Sequence, residues 1–191
     1  MLKKYLTADQ LLQDSYRLAL DIVESGFKPT FLLAVWRGGA PIGIAIQEVF
    51  EVCGICVNHI AVRTYYYTAP AERARQVRVH GLGYVVEALC SDDRLLIVDD
   101  VHDSGRSVEV LVERIQRECG RNVPMEIKLA TPYYKPGKSE VATVPDYYLH
   151  EVEDWLVFPH ELQGLSKQEL MESKPASEEN KRRLLNFIEQ A

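Results

Sequence analysis

Hydrophobic and polar positions along the chain follow two rhythms. Leu11, Leu12, Tyr16, Leu18, Ala19, Ile22 and Val23 recur at the spacing of one helical face, and Gly26 supplies a stop. Phe31 to Trp36 is a short continuous apolar run between Pro29 and Arg37-Gly38-Gly39, which predicts a buried strand. Pro41 to Phe50 predicts the next helix, with Pro41 in its first turn. Val57 to Tyr67, rich in β-branched and aromatic residues, reads as a strand, as do Arg94 to Val98, Glu126 to Tyr134 and Tyr147 to Val152. Ser107 to Cys119 reads as a helix with Val108, Val110, Leu111, Ile115 and Cys119 mostly on one side. Thr68 to His80 (TAPAERARQVRVH) contains Pro70, Arg73, Arg75 and Arg78 and no strong apolar period. It reads as a long, mobile, basic loop of the kind that often serves as a lid. From Ser166 onward the chain is polar and charged, and Leu184, Leu185 and Ile188 predict a terminal helix.

Strands alternating with helices predict an α/β domain with a mainly parallel sheet. In such sheets ligands bind beyond the carboxyl ends of the strands. Two unusual segments, Trp36-Arg37-Gly38-Gly39 and the stretch from Asp99 to Ser107, follow predicted strands directly. A length of 191 residues suits one domain with a real core. The hydrophobic fraction of 47% and charged fraction of 26% are ordinary for a globular protein. The net charge of −6 argues against a nucleic-acid binder but leaves room for a small anion in a local basic pocket. The N-terminal stretch turns polar too early for a secretory signal, and no apolar run is long enough for a membrane helix. The expectation is a cytoplasmic protein with reduced thiols. Cys53-Gly54-Ile55-Cys56 has redox-type spacing but no second pair for zinc, and it reads as small apolar residues leading into a strand.

Residues 95–111, LLIVDDVHDSGRSVEVL, end an apolar strand in two adjacent carboxylates. Like charges side by side need compensation. A P-loop is absent, and Val86 stands where a dinucleotide fingerprint beginning at Gly81 needs its third glycine. The loop Asp103-Ser104-Gly105-Arg106-Ser107 has phosphate chemistry: a glycine for close backbone approach, two hydroxyls, and the N-terminus of the following helix. Asp99 and Asp100 suit sugar hydroxyls or a hard cation such as Mg²⁺.

The stretch LLIVDDVHDSGRS resembles the phosphoribosyl pyrophosphate motif of type I phosphoribosyltransferases. The resemblance extends from about Phe31 to Leu162. It implies a twisted, mainly parallel sheet flanked by helices, with a small hood over the base. The expected organisation is a single domain over 1–191, with its core at about 31–162, a hood including 147–162 and a C-terminal helical tail over 166–191. Arg37-Gly38-Gly39 resembles the pyrophosphate loop, which in the 6-oxopurine branch often carries a non-proline cis peptide. Lys135-Pro136 resembles the lysine that reads the purine 6-oxo group, and Asp154 to Glu161 resembles the hood segment, with Trp155 stacking on the base and the Leu156 backbone meeting its edge. The chemistry agrees, since Trp155 offers a stacking plane and Lys135 a strong donor that favours a 6-oxo over a 6-amino group.

The resemblance implies purine salvage: hypoxanthine, guanine or xanthine plus phosphoribosyl pyrophosphate gives a nucleoside monophosphate and pyrophosphate. Asp103 is the implied general base at purine N7. Arg37, Gly38, Asp99, Asp100, Ser104, Gly105, Arg106 and Ser107 are the implied phosphoribosyl pyrophosphate contacts, with Asp99 and Asp100 holding Mg²⁺. Thr64-Tyr65 is similar to the pair at the lid base. A homodimer or homotetramer is expected, with no nucleic-acid or membrane partner. His102 and Arg106 within the motif, and His160 where xanthine-guanine enzymes have a second Trp, depart from the pattern. The alternatives are a non-catalytic sensor of phosphoribosyl pyrophosphate, a transferase for another base, and a redox protein using Cys53 and Cys56.

Overall fold

The computed structural model describes residues 3–67, 76–174 and 177–190. The chain divides into two compact units, Leu12–Glu153 and Met1–Leu11 with Asp154–Ala191.

The larger unit is built on a seven-stranded sheet. Strands β2 (Phe31–Trp36), β3 (Asn58–Tyr67), β5 (Arg94–Val98) and β7 (Glu126–Tyr134) are parallel neighbours in the order β3, β2, β5, β7. β4 (Gln76–His80) closes one side, antiparallel to β3, and β8 (Tyr147–Glu151) lies parallel to β7 on the other. The central strands are apolar on both faces because helices cover both. Phe31, Leu33, Val35, Leu95 and Ile97 pack with Val85 of α3 (Leu82–Ala88) and with Val108, Leu111 and Ile115 of α4 (Arg106–Cys119). On the opposite face, α2 (Gly39–Val52) approaches so closely that a Cβ on Gly43 would crowd the Ala34 methyl.

The strand after Val98 is interrupted. β5 pairs with β7 as far as Val98↔Ala130, and the two-residue strand β6 (Val101–His102) resumes at Val101↔Tyr133. This constant register sets Asp100 opposite Pro132. Proline has no N–H, so the ladder loses a donor there. Asp99 N–H still reaches the Ala130 carbonyl at 3.2 Å, and the two acids occupy the break.

Helix α1 (Ala8–Glu24) buries Leu18, Ala19 and Ile22 completely. Its Asp14 accepts the Tyr133 hydroxyl at 2.6 Å and lies 3.1 Å from His150 Nε2, while the His150 ring stacks on Tyr133. Burial, then the Asp14 hydrogen bond and charge, raise the Tyr133 phenol pKa. Its hydroxyl therefore stays a donor throughout the neutral range.

The smaller unit pairs β1 (Lys3–Tyr5) in parallel with β9 (Trp155–Val157) and adds α5 (Lys167–Ser173) and α6 (Glu178–Gln190). Glu169 ties it together, accepting from Lys3 at 2.6 Å and Tyr5 at 2.9 Å while completing a capping box with Ser166. Among the described residues no helix is long and apolar enough to cross a membrane.

Several sequence expectations require correction. Residues 76–80 of the expected basic loop are the strand β4: Val77 and Val79 alternate with polar residues, and Val79 is buried, a period-two pattern that the arginines obscured. The rest of that loop, 68–75, lies outside the described residues. The hood was expected to include Tyr147–Glu151, but these residues complete the large sheet as β8 and the smaller unit starts at Asp154. Cys53 and Cys56 are exposed rather than packed, because α2 ends at Val52 and Gly54, at φ +74°, turns the chain outward. The polar tail contains two helices, α5 as well as the expected terminal one.

Asp14→Ala strands the buried Tyr133 hydroxyl and should destabilise the protein by about 1–3 kcal/mol in denaturant titrations, with Asp14→Asn milder because an amide oxygen still accepts. The Lys3, Ser166 and Tyr5 hydrogen bonds lower the Glu169 carboxyl to about 2, below its ordinary value near 4.5. Its contribution is therefore complete above pH ~4.5 and is lost as pH falls towards 2. Glu169→Gln should lower the melting temperature at pH 7, and the gap to the unmodified chain should close by pH 2.

Candidate active site

The parallel strands end on one edge of the larger unit, and the chemistry collects there. Arg37 to Gly39 follow β2, the acid pair follows β5, Asp103 to Gly105 follow β6 and Lys135 follows β7. The Trp36–Arg37 peptide is cis. Gly38 lies against Asp100, and a Cβ there would overlap the Asp100 carboxylate. A Cβ on Gly39 would collide with the Val98 carbonyl and the Asp99 Cα. The loop after β2 therefore touches the acid pair through bare backbone. Burial, reinforced by the Asp100 charge, holds the Asp99 carboxyl well above the usual carboxylate range, against the bond it accepts from the Asp100 N–H at 2.9 Å.

The phosphate-type loop is made by Gly105, whose φ of +77° needs a residue without Cβ, and by the start of α4. No side chain caps that helix, so its first N–H groups face outward with the positive end of the dipole. Ser104 and Ser107 flank it, half-buried. The Tyr66 hydroxyl lies 3.3 Å from Ser104 Oγ. A second segment grips the loop from behind. Glu140 N–H donates to the Ser104 carbonyl at 3.0 Å, the Glu140 carboxylate pairs with Arg106, and Val141 packs on Gly105. His102 is buried beneath the loop, and burial pushes its imidazole pKa down against the favourable Thr143 backbone and Asp103 charge.

Lys135 is buried while its ammonium meets Asp103 at 3.0 Å, and its own N–H donates to the His102 carbonyl. The two residues expected at the neighbouring N7 and 6-oxo groups of a purine thus face one another. In the smaller unit Trp155 is 54% exposed, an unusual state for so large a ring, with Lys3 over it at 5.9 Å from the centroid. Val157 carbonyl accepts from Leu6 N–H. Successive residues in a strand point their backbone groups to opposite sides, so the N–H and C=O of Leu156 face away from β1, along the open edge of this two-stranded sheet.

A family model for the phosphoribosyl transferase domain matches residues 1–166. The chain belongs to the phosphoribosyltransferase family. No curated protein matches it. Among solved structures it is similar to a purine phosphoribosyltransferase from Pyrococcus horikoshii, at 29% identity and a TM-score of 0.67, over 87% of this chain and 98% of that one. A Neisseria gonorrhoeae protein solved with bound ppGpp shares the fold at 22% identity, 85% and 90% coverage and a TM-score of 0.68. A xanthine-guanine-hypoxanthine phosphoribosyltransferase from Helicobacter pylori does so at 17%, 82% and 92%, with a TM-score of 0.65. Membership of that family makes the protein an enzyme, a phosphoribosyltransferase with the type I fold.

The donor set of the phosphoribosyltransferase suits a hard cation. Asp99 and Asp100 are adjacent carboxylates; burial, then the Asp100 charge, raises the Asp99 pKa, and the pair would hold an ion such as Mg²⁺, whose charge would offset both. Among the described residues no cluster of three or more ligating side chains exists, and Asp99 and Asp100 are the two carboxylates that would hold such an ion.

Two features of the phosphoribosyltransferase site escaped sequence reading. Tyr66, not Tyr65, reaches the phosphate loop; Tyr65 instead stacks on His80 of β4. Strand alternation fixes that choice once β4 is recognised as the partner of β3. The Glu140–Val141 clasp has no local pattern to announce it, because it joins segments far apart in sequence.

Gly38→Ala should displace the Asp100 carboxylate while leaving the sheet intact, since the obstruction is a side chain. Pyrophosphate release should fall about 100-fold with little change in melting temperature.

Proposed function

We propose that this phosphoribosyltransferase serves purine salvage, transferring phosphoribose from phosphoribosyl pyrophosphate to hypoxanthine, guanine or xanthine. The observation that carries the reading is the buried Lys135 ammonium, paired with Asp103 beside the phosphate loop. A fixed cationic donor favours a 6-oxo acceptor and disfavours the 6-amino group of adenine. The likeness to the Pyrococcus horikoshii purine enzyme supports the same reading.

In this mechanism the loop from Ser104 to Ser107, including Gly105 and Arg106, holds the 5′-phosphate with backbone N–H groups and hydroxyls. Asp99 and Asp100 hold the ribose hydroxyls and Mg²⁺. When bound, that ion neutralises charge on the pyrophosphate. Arg37 and the Gly38 backbone stabilise the leaving pyrophosphate as the anomeric carbon becomes cationic. Asp103 takes the N7 proton, and the Lys135 ammonium stabilises its carboxylate until the base arrives. Trp155 stacks on the base, and the outward backbone groups of Leu156 read its edge. Residues 1–191 act as one functional domain, working in the cytoplasm as a homodimer or homotetramer without nucleic-acid or membrane partners.

Pyrophosphate release should be measured with Mg²⁺, phosphoribosyl pyrophosphate and, separately, guanine, hypoxanthine, xanthine, adenine, orotate and uracil. Turnover is expected with oxopurines, and Asp103→Asn should reduce it by about 100-fold or more. Turnover with orotate or uracil alone would overturn the roles of Lys135 and Trp155. Tight binding of phosphoribosyl pyrophosphate without turnover on any base would indicate a sensor.

A further inference from the structure

The smaller unit contains a buried charge that the mechanism above does not use. Lys174, just after α5, is 6% exposed, and its ammonium donates to the Phe158 carbonyl at 2.5 Å. Burial lowers its pKa, with partial compensation from Glu161. A lysine is rarely buried without a specific task, because its charge must be desolvated. Phe158 is itself fully buried, and its N–H donates to Glu161 Oε2 at 3.2 Å. Side chains thus engage both backbone groups of Phe158, and its carbonyl also accepts the Glu161 N–H at 3.0 Å.

Val157 directs its carbonyl to Leu6. Between Trp155 and Phe158, then, the main chain is anchored on one side by β1 and at its end by Lys174 and Glu161. Leu156 is the residue whose N–H and C=O remain directed to the open edge, and its side chain is buried. The orientation of that edge depends on where β9 stops. Lys174 fixes that point from the tail, and the tail is held in turn by Glu169 on Lys3 and Tyr5 and by Lys181 of α6 on the Met171 carbonyl of α5.

We propose that Lys174 is a positioning residue for base recognition, the means by which the C-terminal segment holds the Leu156 backbone edge in register with the purine. The inference rests on the purine reading given above. It assigns to residues 166–174 a role in the affinity for the base and none in the affinity for phosphoribosyl pyrophosphate. A side chain of similar length without charge, as in Lys174→Met, leaves the Phe158 carbonyl with the Glu161 N–H alone and removes the tie between this turn and the C-terminal segment.

Steady-state kinetics on the full chain separate the two substrates. Lys174→Met should raise the KM for oxopurine about tenfold, with the KM for phosphoribosyl pyrophosphate changed less than twofold. Lys174→Arg, which keeps a cationic donor, should recover most of the loss. Unchanged base KM in a folded Lys174→Met, or an equal rise in both KM values, would overturn the proposal. If Lys174→Met does not fold, Glu161→Gln decides: a raised base KM supports the assignment, and an unchanged one overturns it. Failure of the unmodified chain to use any oxopurine would overturn the purine reading itself, whereas an active unmodified chain with an indifferent Lys174→Met overturns this inference alone.

Discussion

The whole edge at the ends of the parallel strands depends on one steric constraint: no side chain fits between the loop after β2 and the acids after β5. Gly38 and Gly39 let two backbones approach to contact, one against the Asp100 carboxylate and the other against Val98 and Asp99. Because β2 and β5 are hydrogen-bonded neighbours in register, their ends are already side by side. The glycines turn that adjacency into a surface on which backbone and carboxylates lie in direct contact. At Gly39 even a methyl group would push the two backbones apart, whereas at Gly38 it would displace the Asp100 carboxylate.

A second local conflict is resolved by the same architecture. Adjacent carboxylates in a buried strand would repel, and a continuous ladder would hold them there. Pro132, set opposite Asp100 by the register, removes a ladder bond and lets the chain break at the acids. Burial, then the neighbouring Asp100 charge, keeps the Asp99 pKa raised, and a cation would offset both. Lys135 and Asp103 handle their charges differently, by pairing with each other.

Much of this was legible in the sequence, and the physical reasons differ by element. The central strands announce themselves because both faces are buried, which gives the unbroken runs Phe31 to Val35 and Leu95 to Val98. The phosphate loop is local, so its residues stand together in the chain. β4 was missed because its two valines are interleaved with polar residues at an edge, a weak signal beside three arginines. β1 and β9 are three residues each and exist only through each other, which no local pattern can reveal. The partners of Arg106, Tyr133 and Lys174 are likewise products of folding; each is a contact between segments with no shared motif.

The open edge of β9 has an evolutionary consequence. The main-chain N–H and C=O along that edge are the same whichever amino acid other than proline is encoded at position 156, so drift there alters packing and leaves the hydrogen-bonding groups intact. Under the purine reading proposed above, residues that tilt or slide the strand would tune base preference alongside Lys135. Those residues lie in the N-terminal strand and the C-terminal segment, at the two extremes of the chain, where variation is ordinarily taken to be neutral.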